Sequence, residues 1–138
     1  MRIRPSIPDD MQSVRSFDCI AAHDDRRLAF IQRAIAANQC WSILLDDDVV
    51  GYFIIDNTFF QRTFLSLIYI AEGHRDKGLG REALRWVIDE IDGPFFVSTN
   101  LSNSRTLHLL RSLGFQDSGI IYNLDPGDPE VVFYYACG

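Results

Sequence analysis

The sequence predicts an α/β (α+β) fold, with a mixed, mostly antiparallel central sheet of about seven strands flanked by about four helices. Three observations predict it. Short strand-like runs alternate with segments of helical period, in the order β-α-α-β-β-β-α-β-α-β-β. A strand passes through a glycine turn into a helix between Thr63 and Ile91, mid-chain. Tight Asp, Gly and Pro clusters separate the remaining runs. No repeat, low-complexity tract or linker-like stretch divides residues 1–138, so a single domain is expected.

Met1–Pro5 reads as a first strand. Asp9-Asp10 after Pro8 opens a short amphipathic helix through Met11, Val14 and Phe17. A second helix, about Arg26 to Ala37, sets Leu28, Ile31, Ala34 and Ile35 on one face. The charges before it, Asp24-Asp25 and Arg26-Arg27, read as solvated helix-start residues. Trp41–Leu45 and Val49–Ile55 are strands around an Asp46-Asp47-Asp48 hairpin turn. Residues 56–62, with Phe59-Phe60, are expected to be a loop or bulge, and Thr63–Ala71 a long apolar strand. Leu79, Ala83, Leu84, Val87, Ile88 and Ile91 have a helical period that Gly93-Pro94 terminates. Phe95–Thr99 is a buried strand. Asn103 and Ser104 offer caps to a helix carrying Leu107, Leu110 and Leu113, closed by Gly114. Gly119–Leu124 and Val131–Tyr135 are the last strands, joined by the rigid turn Asp125–Pro129.

The net charge of −6 opposes nucleic acid and anionic lipid and favours cationic substrates such as amines. No apolar run has the length of a membrane span, and no secretory leader is read at the start, so a cytoplasmic protein with no membrane partner is expected. Three irregularly spaced cysteines, Cys19, Cys40 and Cys137, argue against a disulfide framework or a zinc site and fit a reducing compartment; no metal is expected. Of thirteen basic residues only Lys77 is lysine.

Lys77 lies in the most informative stretch, Arg75-Asp76-Lys77-Gly78-Leu79-Gly80. A strand emptying through glycines into a helix N-terminus presents unpaired amides and a positive dipole end, which together bind anions. A Cβ at the glycines would hold a phosphate off the amides. A nucleoside-triphosphate loop is excluded, because Leu79-Gly80 stands where Lys-Ser/Thr is needed after Gly78. A dinucleotide fingerprint fits Gly78-x-Gly80-x-x-Ala83, but the next strand ends Ser98-Thr99-Asn100, without the acidic ribose ligand. The third reading is a coenzyme A turn.

Arg75-x-x-Gly78-x-Gly80 after a strand resembles the acyl-CoA-binding motif of the GNAT superfamily of N-acetyltransferases. Ile70, Glu72 and His74 stand where that family often has an aliphatic residue, a proline and an aromatic. Downstream, Asn103-x-x-Thr106-x-x-x-Leu110-x-x-x-Gly114-Phe115 is similar to the family's second signature. The element order agrees over nearly the whole chain. The resemblance implies an acetyltransferase that moves acetyl from acetyl-CoA to a primary amine by direct attack in a ternary complex, as a monomer or homodimer. It implies that CoA diphosphate lies over the amides of Asp76, Lys77, Gly78, Leu79, Gly80 and Arg81, with Arg75 and Lys77 adding charge. The pantetheine arm would pair with the backbone of Ile68, Tyr69, Ile70 and on to Glu72, where that strand splays from Phe95–Thr99, and Asn103 would bind the same arm. A CoA-binding sensor or interaction module without catalysis is the alternative of another class.

The family's usual thiolate acid is a tyrosine seven residues after the asparagine, and Leu110 stands there. Tyr122 is the substitute that the sequence offers, His108 being turned away on the same helix. Alternation puts Tyr69 on the face opposite Ile68 and Ile70. Candidate bases are Glu72 at the strand end and Ser66, which shares a face with Ile68 and Ile70 and would position a water. Asp56 is read as ending a strand near the acceptor. The first two helices and residues 57–62 are expected to bind the acceptor.

Overall fold

The computed structural model describes residues 1–136, so Cys137 lies outside the described residues. Seven strands form one sheet in the order β1-β2-β3-β4-β5-β7-β6. The strands are β1 (Arg2–Pro5), β2 (Cys40–Leu45), β3 (Asp48–Phe59), β4 (Arg62–Ile70), β5 (Phe95–Asn100), β6 (Gln116–Ile121) and β7 (Glu130–Tyr135). The helices are α1 (Asp10–Phe17), α2 (Asp25–Ala36), α3 (Leu79–Glu90) and α4 (Ser104–Ser112). This is the mixed sheet and element order read from the sequence. The chain falls into two compact units, Met1–Asp56 with Leu67–Ala83, and Asn57–Ser66 with the chain from Leu84 onward.

In the first unit, β1 pairs antiparallel with β2 (Ile3 opposite Ile43), and β2 with β3. The β2–β3 hairpin turns on Asp46 and Asp47, both left-handed at φ 49° and 69°. Aspartate tolerates that conformation, and such a turn matches the twist of the strands it joins. α1 and α2 bury Met11, Val14, Ile31, Ala34 and Ile35 with Tyr52 and Ile54 of β3. At helical spacing these apolar side chains form one stripe per helix, and burying each of Met11, Val14, Ile31 and Ile35 contributes roughly 1.5–3 kcal/mol. Asp10 anchors α1 to the sheet. It accepts from Arg4 Nη1 and Nη2 at 2.8 and 3.0 Å, from the Ile7 amide at 2.9 Å and from Ser42 Oγ at 2.8 Å. Burial raises the Asp10 carboxyl, but those hydrogen bonds outweigh it and hold the group below the usual carboxylate range.

Gly51 sets how closely β4 can approach β3. A Cβ there would stand 2.8 Å from the Tyr69 carbonyl oxygen, a backbone atom with nowhere to go. Glycine is therefore required by contact, and its weak strand propensity is the cost.

In the second unit, β5 runs parallel to β4 (Phe64 opposite Phe96, Leu65 opposite Val97) and antiparallel to β7, which itself pairs with β6. Among the described residues the β4–β5 ladder is only those two positions long, although β4 continues to Ile70 and β5 to Asn100. Phe95, Phe115 and Tyr135 close the core, with ring centroids 5.0 to 5.8 Å apart.

Three expectations are corrected. Residues 56–62 are not a loop. β3 runs to Phe59, β4 begins at Arg62, and Phe60 and Gln61 alone turn the chain at φ 52° and 62°. The turn lacks the usual Asn-Gly or Asp-Gly pair, so nothing local marked it. Asp56 consequently lies buried inside β3 rather than at a strand end. The strand expected at Gly119–Leu124 is Gln116–Ile121. It is an edge strand, exposed along most of its length, with a register shift between Asp117 and Gly119, so it carries no apolar alternation to read.

Candidate functional site

The turn between β4 and α3 is built almost wholly from backbone. Ala71 donates to the Val50 carbonyl at 2.8 Å, ending β4 in register with β3. A single 3-10 turn follows at Glu72–His74, with the His74 amide bonded to the Ala71 carbonyl at 2.8 Å. Arg75 is extended (φ −76°, ψ 162°). Asp76 and Gly78 are left-handed, at φ 64° and 82°. α3 starts at Leu79, and its first turn closes with the Glu82 amide on the Gly78 carbonyl at 3.0 Å. Nothing lies within 4 Å of where a Gly78 Cβ would stand, so the space beside this residue at the helix start is open. That arrangement suits an anionic oxygen, for which the helix start supplies N–H donors and the positive dipole end.

The Arg75 side chain, though exposed, folds back along the end of β4. Its Nε donates to the Ile70 carbonyl at 2.9 Å, and its guanidinium lies 5.0 Å from the Tyr69 ring centroid. Lys77 is exposed on the same turn. Upstream, Ser66, Leu67, Ile68, Tyr69 and Ile70 are all half-buried, although β4 is central in the sheet. A central strand with no fully buried residue over five positions is the local sign of a face or edge left open.

A chain with this turn and topology can be compared with known proteins. The model of the acetyltransferase (GNAT) family matches residues 9–115. A GNAT-family acetyltransferase from Bacillus cereus ATCC 10987 is 32% identical, with a TM-score of 0.88 over 98% of this chain and 96% of that one. The chain belongs to the GNAT acetyltransferase family. Two more distant structures share the fold. The Salmonella typhimurium protein yncA, solved with its cofactor acetyl-CoA, is 20% identical, with a TM-score of 0.78 over 100% of this chain and 94% of that one. Ribosomal-protein-alanine N-acetyltransferase from Brucella melitensis is 17% identical, with a TM-score of 0.79 over 99% of both chains. No curated protein matches the sequence.

The side chains expected to do chemistry in this GNAT acetyltransferase lie on different elements. Tyr122 lies just past β6 and is 65% exposed, not on a strand. Glu72 is exposed in the 3-10 turn, while Ser66 is half-buried on β4. Leu110, at the usual tyrosine position, is a core residue, and His108 is exposed. Asn103 caps α4. Its Oδ1 accepts from the Thr106 amide at 3.3 Å, and its Nδ2 donates to Thr99 Oγ1 at 3.2 Å. Among the described residues no three His, Cys, Asp or Glu side chains gather to hold a metal.

Two arrangements escaped the sequence reading. Arg27 is not a solvated helix-start charge. It pairs with the fully buried Asp18 through Nε at 3.1 Å and Nη2 at 2.9 Å, and lies 5.5 Å from the Tyr69 ring centroid. Asp24, beside it, caps α2 by accepting from the Arg26 and Arg27 amides. Asp18 also accepts from the Tyr52 hydroxyl and from the Ile20 and Ala21 amides. The second is Glu130, half-buried at the start of β7. Burial, with Asp125 and Asp128 nearby, raises its carboxyl, and a hydrogen bond with Ser98 only partly offsets this. No local motif announces either, because each depends on burial that only the folded chain creates.

Proposed function

We propose that this GNAT acetyltransferase moves the acetyl group of acetyl-CoA to a primary amine, of a small molecule or a protein, in the cytoplasm. The carrying observation is the backbone turn from Arg75 to Leu79, with left-handed Gly78 at the start of α3 and open space beside it. Asp76, Lys77, Gly78, Leu79, Gly80 and Arg81 would hold the CoA diphosphate, and the half-buried backbone of Ile68, Tyr69 and Ile70 its amide arm. Bound there, acetyl-CoA supplies an activated thioester.

The chain's own contributions are three. The β4 backbone N–H near Ile70 polarises the thioester carbonyl. Glu72, just past the end of β4, is the candidate to accept the amine proton, and Ser66 the candidate to position a water. Tyr122, exposed beyond β6, returns a proton to the leaving thiolate. Support for an amine acceptor comes from the net charge of −6 and from the Brucella melitensis relative, whose name specifies an alanine N-acetyltransferase. Cys19 and Cys40 are free, as suits a reducing compartment.

A second reading, a CoA-binding module without catalysis, is favoured by one observation, the buried Leu110 where the family's tyrosine would donate. Thiol release from acetyl-CoA, measured over a panel of amines and N-terminal peptides, separates the two. The transferase yields thiol with at least one acceptor, and Glu72→Gln and Tyr122→Phe each slow it at least tenfold. Binding of acetyl-CoA with no thiol released from any acceptor supports the module instead.

A further inference from the structure

We infer that Tyr69 is a positioning residue of the phosphate turn. Its ring holds the Arg75 side chain back against the Ile70 carbonyl, so that the CoA diphosphate meets a pre-set backbone rather than the Arg75 cation. This rests on the CoA reading above.

Two contacts of Arg75 carry the inference. Arg75 spends its Nε–H on the Ile70 carbonyl at 2.9 Å and holds its guanidinium carbon over the Tyr69 ring, 5.0 Å from the centroid. Both partners belong to the strand that the turn leaves, so the two contacts fold the start of the turn back on itself. Ile70 and Arg75 bracket the 3-10 turn, and fixing that bracket fixes the approach to Asp76 and Gly78, whose left-handed backbone aims the amides.

Tyr69 is itself immobilised. Phe17 stacks on it at 6.2 Å, Tyr52 at 6.3 Å, and Cys19 Sγ lies 3.6 Å from its hydroxyl. Arg27 shares the same ring at 5.5 Å while bound to buried Asp18. A ring so held is a rigid platform, and a platform that removes freedom from the unbound turn raises affinity without touching the ligand. The arginine is used as a planar stacking donor, a task lysine cannot perform, since ammonium has no flat face and no Nε–H fork.

The test compares charge with shape, by calorimetric titration of CoA into each folded variant. If Arg75 acts through Tyr69, then Arg75→Lys weakens CoA binding as much as Arg75→Ala, roughly five- to tenfold. Tyr69→Leu weakens it similarly, while Tyr69→Phe, which keeps the ring, stays within about twofold. The Tyr69→Leu/Arg75→Ala double variant is no weaker than the worse single, because both break one arrangement. Arg75→Lys retaining wild-type affinity, or additive losses in the double variant, overturns the inference. Arg75 is exposed, so the lysine comparison holds even where Tyr69→Leu fails to fold. Wild-type protein that binds no CoA sinks the CoA reading itself, whereas wild-type binding with unaltered variants sinks only the role of Tyr69.

Discussion

Asp18 is wholly buried and grips Arg27 through two of its guanidinium nitrogens, at 3.1 and 2.9 Å, across nine residues of chain. The same carboxylate oxygen accepts the Tyr52 hydroxyl, so one buried charge ties the end of α1, the start of α2 and β3 together. Burial and the bond to Asp18 push the Tyr52 phenol far above its ordinary value, which keeps it a neutral donor. A buried ion is costly unless every lone pair is met, and here each oxygen has partners. Removing one partner leaves the other charge stranded. Arg27→Met is therefore expected to cost about 3 kcal/mol of stability, and Asp18→Asn a comparable amount, by urea denaturation. A loss under about 0.5 kcal/mol, the usual range for surface changes, would show the pair to be a surface contact in solution.

The Arg4–Asp10 pair predicts an acid-sensitive anchor. Arg4, bound to Asp10, has its own value raised, as the partner of a lowered carboxylate should. Because Asp10 is lower in the folded state than in the unfolded, the native protein binds fewer protons in that window. Stability then rises with pH there. The contribution is complete above the unfolded carboxylate value of about 3.9 and is lost as pH falls through the folded value. Wild type should exceed Arg4→Ala by about 1–2 kcal/mol at pH 6, with the gap narrowing toward pH 3. A gap that widens with acid contradicts the assignment.

Gly51→Ala tests the close approach of β3 and β4. The added methyl would meet the Tyr69 carbonyl at 2.8 Å and the Ile70 side chain at 3.0 Å. Overpacking of this kind costs about 1–3 kcal/mol. The strain falls on the backbone proposed to pair with the CoA arm, so CoA affinity should drop along with the melting temperature. An unchanged melting temperature would mean that the strands separate freely at this point.

Asn103 has two roles to separate. As a cap, its Oδ1 is what matters, and Asn103→Ala should cost about 1 kcal/mol while Asn103→Asp preserves the helix. As a contact of the CoA arm through its amide N–H, Asn103→Asp should instead weaken CoA binding without destabilising the fold. Titration of CoA into Asn103→Asp decides which, and wild-type affinity there restricts the residue to capping.

Much of this was legible in the sequence because the signals are local. The period of Leu79, Ala83, Leu84 and Val87 fixes α3, and all four residues are buried. Asn103 and Gly114 bound α4 as their cap chemistry requires. What escaped was set by distant partners. The Phe60-Gln61 turn is imposed by the pairing of two long strands, not by its own residues. β6 takes its register from β7, across a bulge. Arg27 looked like a solvated charge because its partner, Asp18, lies in the preceding connection rather than on its own helix. The site divides the same way. Gly78 and the strand-to-helix junction are local and readable, whereas the contacts of Arg75 with the Ile70 carbonyl and the Tyr69 ring form only once the chain is folded.

The central claim is that the bare amides at the start of α3 hold the diphosphate of CoA. Gly78 is left-handed at φ 82°, so Gly78→Val forces a β-branched residue into strained backbone at the start of α3. The direct measurement is calorimetry of acetyl-CoA against the wild type and this variant, each shown folded by circular dichroism. The account predicts saturable one-to-one binding to the wild type and none to Gly78→Val. Equal binding to both, or to neither, contradicts it.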